Sequence, residues 1–315
     1  MATRFELVLH GDACVRLRAA GEEAIEEIRR LDRQLSRFDP ESDVSWINAR
    51  AWLEPVRVEP RLFRLIRRAV EITNGTGGAF DITVAPLMRA WGLAGEGRVP
   101  SRSEMDRVRT VVGMHHVHLD EQSFTVSFDT PGVEIDLGAI GKGYAIECAV
   151  EVLRDNGVAS ALIHGGTSTV YALGAPPGGD GWTVAIAGSQ IRGDRDRRIT
   201  DPGGWVRDNM SRTNGGPTAC PGPTKSVILR DLSLSVSAPH GRFFEHDGRR
   251  YGHVIDPRTG EPAEGALLAA VVGPSPTETD ALSTALLVLG EPWLPDLERR
   301  FPGYEGHVVP TERVT

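Results

Sequence analysis

Residues 253–260 read His-Val-Ile-Asp-Pro-Arg-Thr-Gly and bring three chemically active side chains together within six positions. His253 could exchange a proton, Asp256 could accept one, and Arg258 could bind an anion. Pro257 and Gly260 predict a tight turn that would hold these groups close to one another. The same pattern also fits a plain hairpin turn with a hydrogen-bonded structural histidine, so the run alone leaves both interpretations open.

A second candidate lies on a predicted helix further along the chain. The run 275–278 reads Ser-Pro-Thr-Glu and is typical of a helix start: Ser is the N-cap, Pro takes the first helical position, and Glu completes a capping box. The helix would end near Gly290. Asp280 and Thr284 are four residues apart and project from one face of this helix. Their carboxylate and hydroxyl oxygens suit Mg²⁺, with water and substrate phosphate as further ligands. Alternatively, Thr284 bonds back to the helix and Asp280 merely favours its N-terminal dipole.

A glycine-rich turn at 136–143 leads into another predicted helix. Such a turn presents backbone amides and a helix N-terminus to anions. It is not a Walker A loop, because the four-residue spacer and the Ser or Thr after Lys142 are missing. A tight structural turn explains the same residues, so both interpretations stay open here as well.

The composition argues against several classes of function. The chain has 315 residues and a net charge of −8, without a block of basic residues, so nucleic-acid binding is not expected. The G-x-S-x-G nucleophile elbow does not occur, which argues against a Ser/His/Asp hydrolase. No G-x-G-x-x-G follows a strand, which argues against a Rossmann dinucleotide site. Three distant cysteines, Cys14, Cys148 and Cys220, favour a reducing compartment. We see no signal peptide and no transmembrane span, and therefore expect a cytoplasmic protein.

The hydrophobic pattern predicts an α+β fold. The alternation at the N-terminus indicates a strand that extends to about residue 17. Helices are predicted at 24–35, from 61 to 74, 142–156 and 276–289, and strands at 117–119, 124–126, 161–163, 181–186, 225–237 and 266–272. Because helices and strands do not alternate regularly, a mixed sheet is expected rather than a doubly wound one. Residues 188–224 are rich in Gly, Pro, Arg and Asp and predict a mobile, exposed insertion within a single domain, 1–315.

Taken together, the segments of this chain resemble the FAD:protein FMN transferases, also called the ApbE or thiamine-biosynthesis-lipoprotein-like family. The match runs in order through residues 1–3, 35–38, 78–87, 91–92, 135–145, 165–166, 253–260 and the helix that carries Asp280 and Thr284. No single motif decides the matter, but the occurrence of these segments in the correct order is highly specific.

The resemblance implies an α+β roll, with a largely antiparallel sheet and flanking helices, that binds FAD in a cleft with a divalent metal, Mg²⁺, on its pyrophosphate. The metal ligands it implies are Asp280, the hydroxyl of Thr284 and the backbone carbonyl of Ala139. The positions it implies for FAD are Met1, Phe38, Ala79, Phe80, Asp81, Lys142 and Ile255. It assigns catalysis to His253.

The implied reaction is the transfer of FMN from FAD to a Ser or Thr hydroxyl of an acceptor flavoprotein, with release of AMP. His253 or Asp256 would remove the proton of that hydroxyl, and the residues alone do not decide between them. Hydrolysis of FAD to FMN and AMP, or FAD binding without turnover, are the alternatives. Without an export signal, the acceptor is expected in the cytoplasm.

The chain departs from the family pattern at several positions near the implied site. Thr167 stands where relatives usually have Asp after two glycines, and Glu147 replaces an Asp on the helix that follows Lys142. Val236 and Ala238 replace the Thr and Gly that usually flank Ser237. The residues at 167, 236 and 238 concern the acceptor side of the site more than FAD or the metal.

Overall fold

The computed structural model describes residues 3–186, 225–239 and 243–311. Met1 and the predicted insertion at 188–224 lie outside these residues. The helices are α1 (Cys14–Leu35), α2 (Asp43–Arg50), α3 (Pro60–Gly75), α4 (Ala85–Ala90), α5 (Arg102–Arg109), α6 (Gly141–Asp155), α7 (Pro276–Leu289) and α8 (Leu294–Arg300).

The strands form one large sheet and three small ones. They are β1 (Phe5–Leu9), β2 (Val56–Arg57), β3 (Val117–Asp120), β4 (Thr125–Phe128), β5 (Ala161–Gly165), β6 (Thr169–Leu173), β7 (Trp182–Ile186), β8 (Lys225–Leu229), β9 (Leu232–Ser237), β10 (Phe243–His246), β11 (Arg249–Gly252), β12 (Leu268–Gly273) and β13 (Glu305–Val309). The large sheet has the order β1-β5-β6-β9-β12-β13. Every strand pair in the described residues is antiparallel, which confirms the α+β class with a largely antiparallel sheet.

The two faces of the large sheet are covered by different elements. On β5, Ala161 and Ile163 belong to the main core with α1, α6 and α7, whereas Leu162 faces a second cluster that contains Trp182 of β7 and Leu229 of β8. This is the alternation that a strand buried on both faces requires. The large sheet thereby holds α6 and α7 side by side on one face, where their N-terminal turns meet.

The N-terminal prediction is wrong in one respect. The predicted strand extended to about residue 17, but β1 ends at Leu9 and α1 begins at Cys14, ten residues before the predicted start. Alternating residues at 15–18 look like a strand, but the buried positions of α1 include Ala20, Ala24 and Ile28, at a spacing of four that only a helix brings to one face. The buried residues of α1 begin at Ala20, and the helix continues back to Cys14 through residues that are exposed apart from the half-buried Leu17.

None of the helices in the described part of the chain has the length and apolar content that crossing a bilayer requires.

Candidate active site

The carboxylate of Asp280 is the centre of the candidate site. Asp280 lies in the second turn of α7 and is only 3% exposed. Its Oδ1 lies 3.1 Å from the ammonium of Lys142, and its Oδ2 accepts a hydrogen bond of 3.0 Å from the backbone amide of Gly143. The hydroxyl of Thr169 donates to Oδ1 at 3.3 Å. The buried negative charge is thus placed at the N-terminus of α6, where the helix dipole and free amides stabilise an anion.

Gly143 makes this arrangement possible because α6 and α7 approach closely at this point. A Cβ at Gly143 would overlap the carbonyl oxygen of Pro276 and would lie 2.9 Å from the Cβ of Asp280. A larger residue at this position would therefore push the two N-terminal turns apart.

Gly143→Ala should destabilise the protein by about 1–3 kcal/mol, because overpacking displaces α7 from α6. Gly141→Ala is a matched control in the same helical turn, since a Cβ there would be 3.7 Å from Leu35, an ordinary contact. Urea unfolding of both variants measures the difference. A Gly143→Ala protein as stable as the Gly141→Ala protein would contradict the close approach.

The start of α7 is fixed by the hydroxyl of Ser275, which the sequence predicted as the cap, and by the carboxylate of Glu147, which it did not. Ser275 caps the helix by accepting from the backbone amide of Glu278, as the capping box predicts. The carboxylate of Glu147 on α6 accepts hydrogen bonds from the hydroxyls of Ser275 and Thr277 and from the amide of Thr277. Glu147, which departs from the family pattern, therefore links α6 to the cap of the helix that carries Asp280.

The hydroxyl of Thr284 lies one turn beyond Asp280 and is engaged within the protein. It is 3.3 Å from the backbone carbonyl of Asp280 and 3.3 Å from the hydroxyl of Ser237 on β9. Further hydroxyl contacts join β9 and β6 to α7 and involve Thr169, Ser233, Ser235, Thr279 and Ser283. This hydroxyl cluster has no direct signal in the sequence, because strand β9 and helix α7 are distant in the chain.

The oxygen atoms around Asp280 fit a divalent cation such as Mg²⁺. A carboxylate, the Thr284 hydroxyl and main-chain carbonyls are ligands that Mg²⁺ prefers. Ala139 lies in the turn just before α6, and the neighbouring carbonyl of Gly138 accepts from the ammonium of Lys142 at 3.3 Å. Within the described residues no group of three His, Cys, Asp or Glu could hold a metal ion. A cation here would therefore depend on hydroxyl, carbonyl, water and substrate oxygens.

The predicted turn at 253–260 is present, and Asp256 shapes it. Its carboxylate accepts from the backbone amide of Arg258 at 3.0 Å and from the guanidinium of Arg258 at 2.9 and 2.8 Å. The turn is also held from outside, because the indole of Trp91 donates to the carbonyl of Gly260 at 2.8 Å. Asp256 is thus occupied in holding the turn, whereas His253 is half-buried at the start of the run.

Phe38 is the most exposed of the predicted FAD-contacting residues. Its ring is 72% exposed, and the guanidinium of Arg37 lies 4.3 Å from the ring centre. The backbone amide of Phe38 donates to the hydroxyl of Ser36, which fixes the loop. Arg37 also pairs with Asp136 at 2.6 Å, so the exposed ring is tied to the turn that precedes α6. An exposed, fixed aromatic ring is suited to stack on a planar ligand.

The predicted FAD positions 79–81 and 255 differ from Phe38 in being buried. Ala79, Phe80 and Ile255 are at most 6% exposed, so a ligand could contact these residues mainly through their backbone. Ile255 packs in an apolar cluster with Leu87, Trp91, Met105 and Val112. The side chains of Ala79, Phe80 and Ile255 therefore belong to the hydrophobic core, which the sequence did not predict.

The carboxylate of Asp81 organises the chain around it. Its Oδ1 accepts from the amide of Thr83 at 2.7 Å and from the Thr83 hydroxyl at 2.6 Å, and its Oδ2 accepts from the amide of Met114 at 3.1 Å. Asp81 is only 8% exposed, and burial raises the pKa of this carboxyl. The segment also contacts the glycine-rich turn, because the amide of Asp136 donates to the carbonyl of Ile82 at 2.6 Å.

Asp81→Asn should lower the free energy of unfolding by about 1–3 kcal/mol, because the amide group of Asn cannot accept all the hydrogen bonds from Thr83 and Met114. Urea unfolding measures this change, and FAD titration measures whether ligand binding changes with it. A variant of normal stability that binds FAD weakly would instead make Asp81 a direct ligand of FAD.

A cavity of about 410 Å³ opens beside Arg37. It is lined by Arg37 and by the segment 89–98, including the guanidinium groups of Arg89 and Arg98. Sequence reasoning named neither arginine, since both lie between the recognised motifs. Glu96 also lines this cavity, and the three guanidinium groups pair with the carboxylates of Asp136, Glu134 and Glu104, so their charges are largely balanced within the protein.

Known proteins share the framework that carries these residues. The model of the ApbE family matches residues 1–306. The chain belongs to the ApbE family. The family resemblance seen in the sequence is thereby confirmed.

Among curated ApbE relatives, the FAD:protein FMN transferase of Treponema pallidum is 32% identical over 304 residues, which cover 94% of this chain and 78% of that protein. The enzyme of the same name from Vibrio cholerae is 26% identical over 268 residues, covering 84% and 71%. Among solved structures, the ApbE protein of Thermotoga maritima has a TM-score of 0.77 at 27% identity and covers 97% of this chain and 94% of its own. The flavin transferase ApbE of Vibrio cholerae has a TM-score of 0.74 at 23% identity, over 98% and 94%, and shows the same fold.

Proposed function

We propose that this protein transfers FMN from FAD to a Ser or Thr hydroxyl of an acceptor protein in a Mg²⁺-dependent reaction that releases AMP. The observation that carries the proposal is the buried carboxylate of Asp280, held at the N-terminus of α6 beside Lys142. The names of the ApbE relatives, FAD:protein FMN transferase, support the same reaction.

Mg²⁺ would be held by Asp280, by the hydroxyl of Thr284 and by the carbonyl of Ala139. When bound, it would offset the charge of the pyrophosphate and make AMP a better leaving group. The ammonium of Lys142, at the N-terminus of α6, would bind phosphate oxygens. The ring of Phe38 stacks on the adenine. These groups place the pyrophosphate of FAD over the N-terminal turns of α6 and α7.

His253 is the proposed base. The acceptor hydroxyl attacks the phosphorus on the FMN side, a new P–O bond forms, and the P–O bond to AMP breaks. The proton of the hydroxyl passes to His253, because the carboxylate of Asp256 is already engaged by three hydrogen bonds from Arg258. Asp256 therefore positions the turn that carries His253. Contact with FAD stays a prediction for the other positions. It would involve the backbone at Ala79, Phe80, Asp81 and Ile255, whereas Met1 lies outside the described residues.

Product analysis separates transfer from the two alternatives. The protein is incubated with FAD and Mg²⁺, with and without a candidate acceptor flavoprotein, and AMP and free FMN are quantified by chromatography. Transfer predicts AMP release that depends on the acceptor, with little free FMN. Equal amounts of AMP and free FMN without an acceptor would indicate a FAD pyrophosphatase. Bound FAD without either product would indicate a binding protein.

We also propose that residues 1–315 form one domain and that the acceptor is located in the cytoplasm. The first proposal follows from the family motifs, which span nearly the whole chain. The second rests on the three distant cysteines, which favour a reducing compartment, and cell fractionation that follows both this protein and the acceptor tests it.

A further inference from the structure

The ammonium of Lys142 occupies a distinct position at the candidate site. Its Nζ lies 3.1 Å from Oδ1 of Asp280, 3.4 Å from Oδ2, and 3.3 Å from the carbonyl oxygen of Gly138. The Lys142 side chain is 21% exposed, and the Asp280 side chain is 4% exposed. A positive charge thus lies between a buried carboxylate and a main-chain carbonyl of the turn before α6. These are the kinds of oxygen proposed for the divalent cation.

The use of lysine at this position is unusual within this chain. Of the 35 Lys and Arg residues, only Lys142 and Lys225 are lysines. An ammonium is a compact point charge on a flexible stem, whereas a guanidinium is a planar fork that is always charged. Only the ammonium group is compact enough to occupy the space of a metal ion. Rotation about the bonds of the lysine side chain can then move it out of that space.

We propose that Lys142 acts as the counter-ion of Asp280 in the metal-free protein and competes with the divalent cation for the carboxylate oxygens of Asp280. A buried carboxylate without a cation is costly, so one of the two cations must be present. Two cations beside one carboxylate repel each other, so metal binding releases the ammonium. This inference rests on the proposed function, because it takes Asp280 as the metal ligand.

The competition has a consequence for the order of binding. The free protein binds the metal weakly, because the metal must first displace Lys142. A pyrophosphate-containing ligand offers the released ammonium new oxygen partners, so the ligand and the metal favour each other's binding. Lys142 is therefore a positioning residue that couples occupancy of the metal site to the arrival of FAD.

Binding of Mn²⁺ without FAD, followed by electron paramagnetic resonance, tests the competition directly. Lys142→Met keeps the length of the side chain and removes its charge. We expect this variant to bind Mn²⁺ about tenfold more tightly than the wild type, since no charged hydrogen bond must be broken. Lys225→Met removes the other lysine and should bind Mn²⁺ as the wild type does. Unchanged or weaker binding by Lys142→Met would overturn the proposal.

Asp280→Asn distinguishes failure of this inference from failure of the proposed metal site. If Asp280→Asn loses Mn²⁺ binding while Lys142→Met binds like the wild type, the competition alone is wrong. If Asp280→Asn binds Mn²⁺ normally, the metal lies elsewhere, and both the competition by Lys142 and the proposed metal site are wrong. Thermal unfolding gives a second readout, because Lys142→Met should have a lower Tm than the wild type in chelator and a larger rise in Tm with Mn²⁺. A rise no larger than that of the wild type would also overturn the inference.

Discussion

Asp280→Asn should lower Mg²⁺-dependent release of AMP from FAD by at least about 1000-fold, because loss of a metal ligand removes several kcal/mol of transition-state stabilisation. The amide of Asn still accepts from the backbone of Gly143, so the contact between α6 and α7 is retained. A neutral amide oxygen, however, is a weak ligand for a divalent cation and no longer balances the charge of Lys142. Initial rates of AMP formation measure the effect.

Asp155→Asn is the matched control for this prediction. It makes the same chemical change on an exposed residue at the C-terminal end of α6 and should leave the rate unchanged. Thermal unfolding of both variants checks that each is folded. An Asp280→Asn protein that is folded and releases AMP at the wild-type rate would remove Asp280 from the metal site.

His253→Ala should lower transfer of FMN to the acceptor by about 100- to 10,000-fold while FAD binding stays close to that of the wild type. The reason is that the acceptor hydroxyl loses the group that takes its proton, whereas the groups that hold FAD remain. Transfer is measured as flavin attached to the acceptor, and binding as quenching of FAD fluorescence.

Asp256→Asn decides between the two candidates for the base. We expect this variant to lose less activity than His253→Ala, since Asp256 acts by holding Arg258 and the turn. A loss as large as that of His253→Ala, with normal FAD binding and a normal Tm, would make Asp256 the base. The pair of variants therefore answers the question that the sequence left open.

Local signals in the sequence predicted the elements that carry the site. Ser275 and Glu278 form the predicted cap of α7, and the glycine-rich turn leads into α6 as expected. These features depend on neighbours three or four residues away, which the sequence displays directly. The regular helical spacing of Asp280 and Thr284 could be predicted for the same reason.

Contacts between distant segments could not be predicted in this way. Lys142 was assigned to FAD by resemblance, but its contact with Asp280 joins residues 138 positions apart and depends on how two helices pack. The same holds for Glu147 at the cap of α7. The resemblance assigned Asp81 to FAD, and only the structure shows that its carboxylate oxygens accept hydrogen bonds from Thr83 and Met114.

The start of α1 illustrates a competition between local pattern and packing. Residues 15–18 alternate in polarity, which favours a strand when considered alone. The packing of α1 against α6 favours a helix from Ala20 onward, and the helix extends back to Cys14 through mostly exposed residues. Polarity alternation over four residues therefore did not predict the start of this helix.

The most direct test of the central proposal is mass spectrometry of the acceptor protein after incubation with this protein, FAD and Mg²⁺. The account predicts that the intact acceptor gains the mass of one FMN group on a Ser or Thr residue, with one AMP released for each group attached. It also predicts that a metal chelator and Asp280→Asn each prevent the gain. An unmodified acceptor in the presence of wild-type protein, with AMP and free FMN formed in equal amounts, would contradict the account.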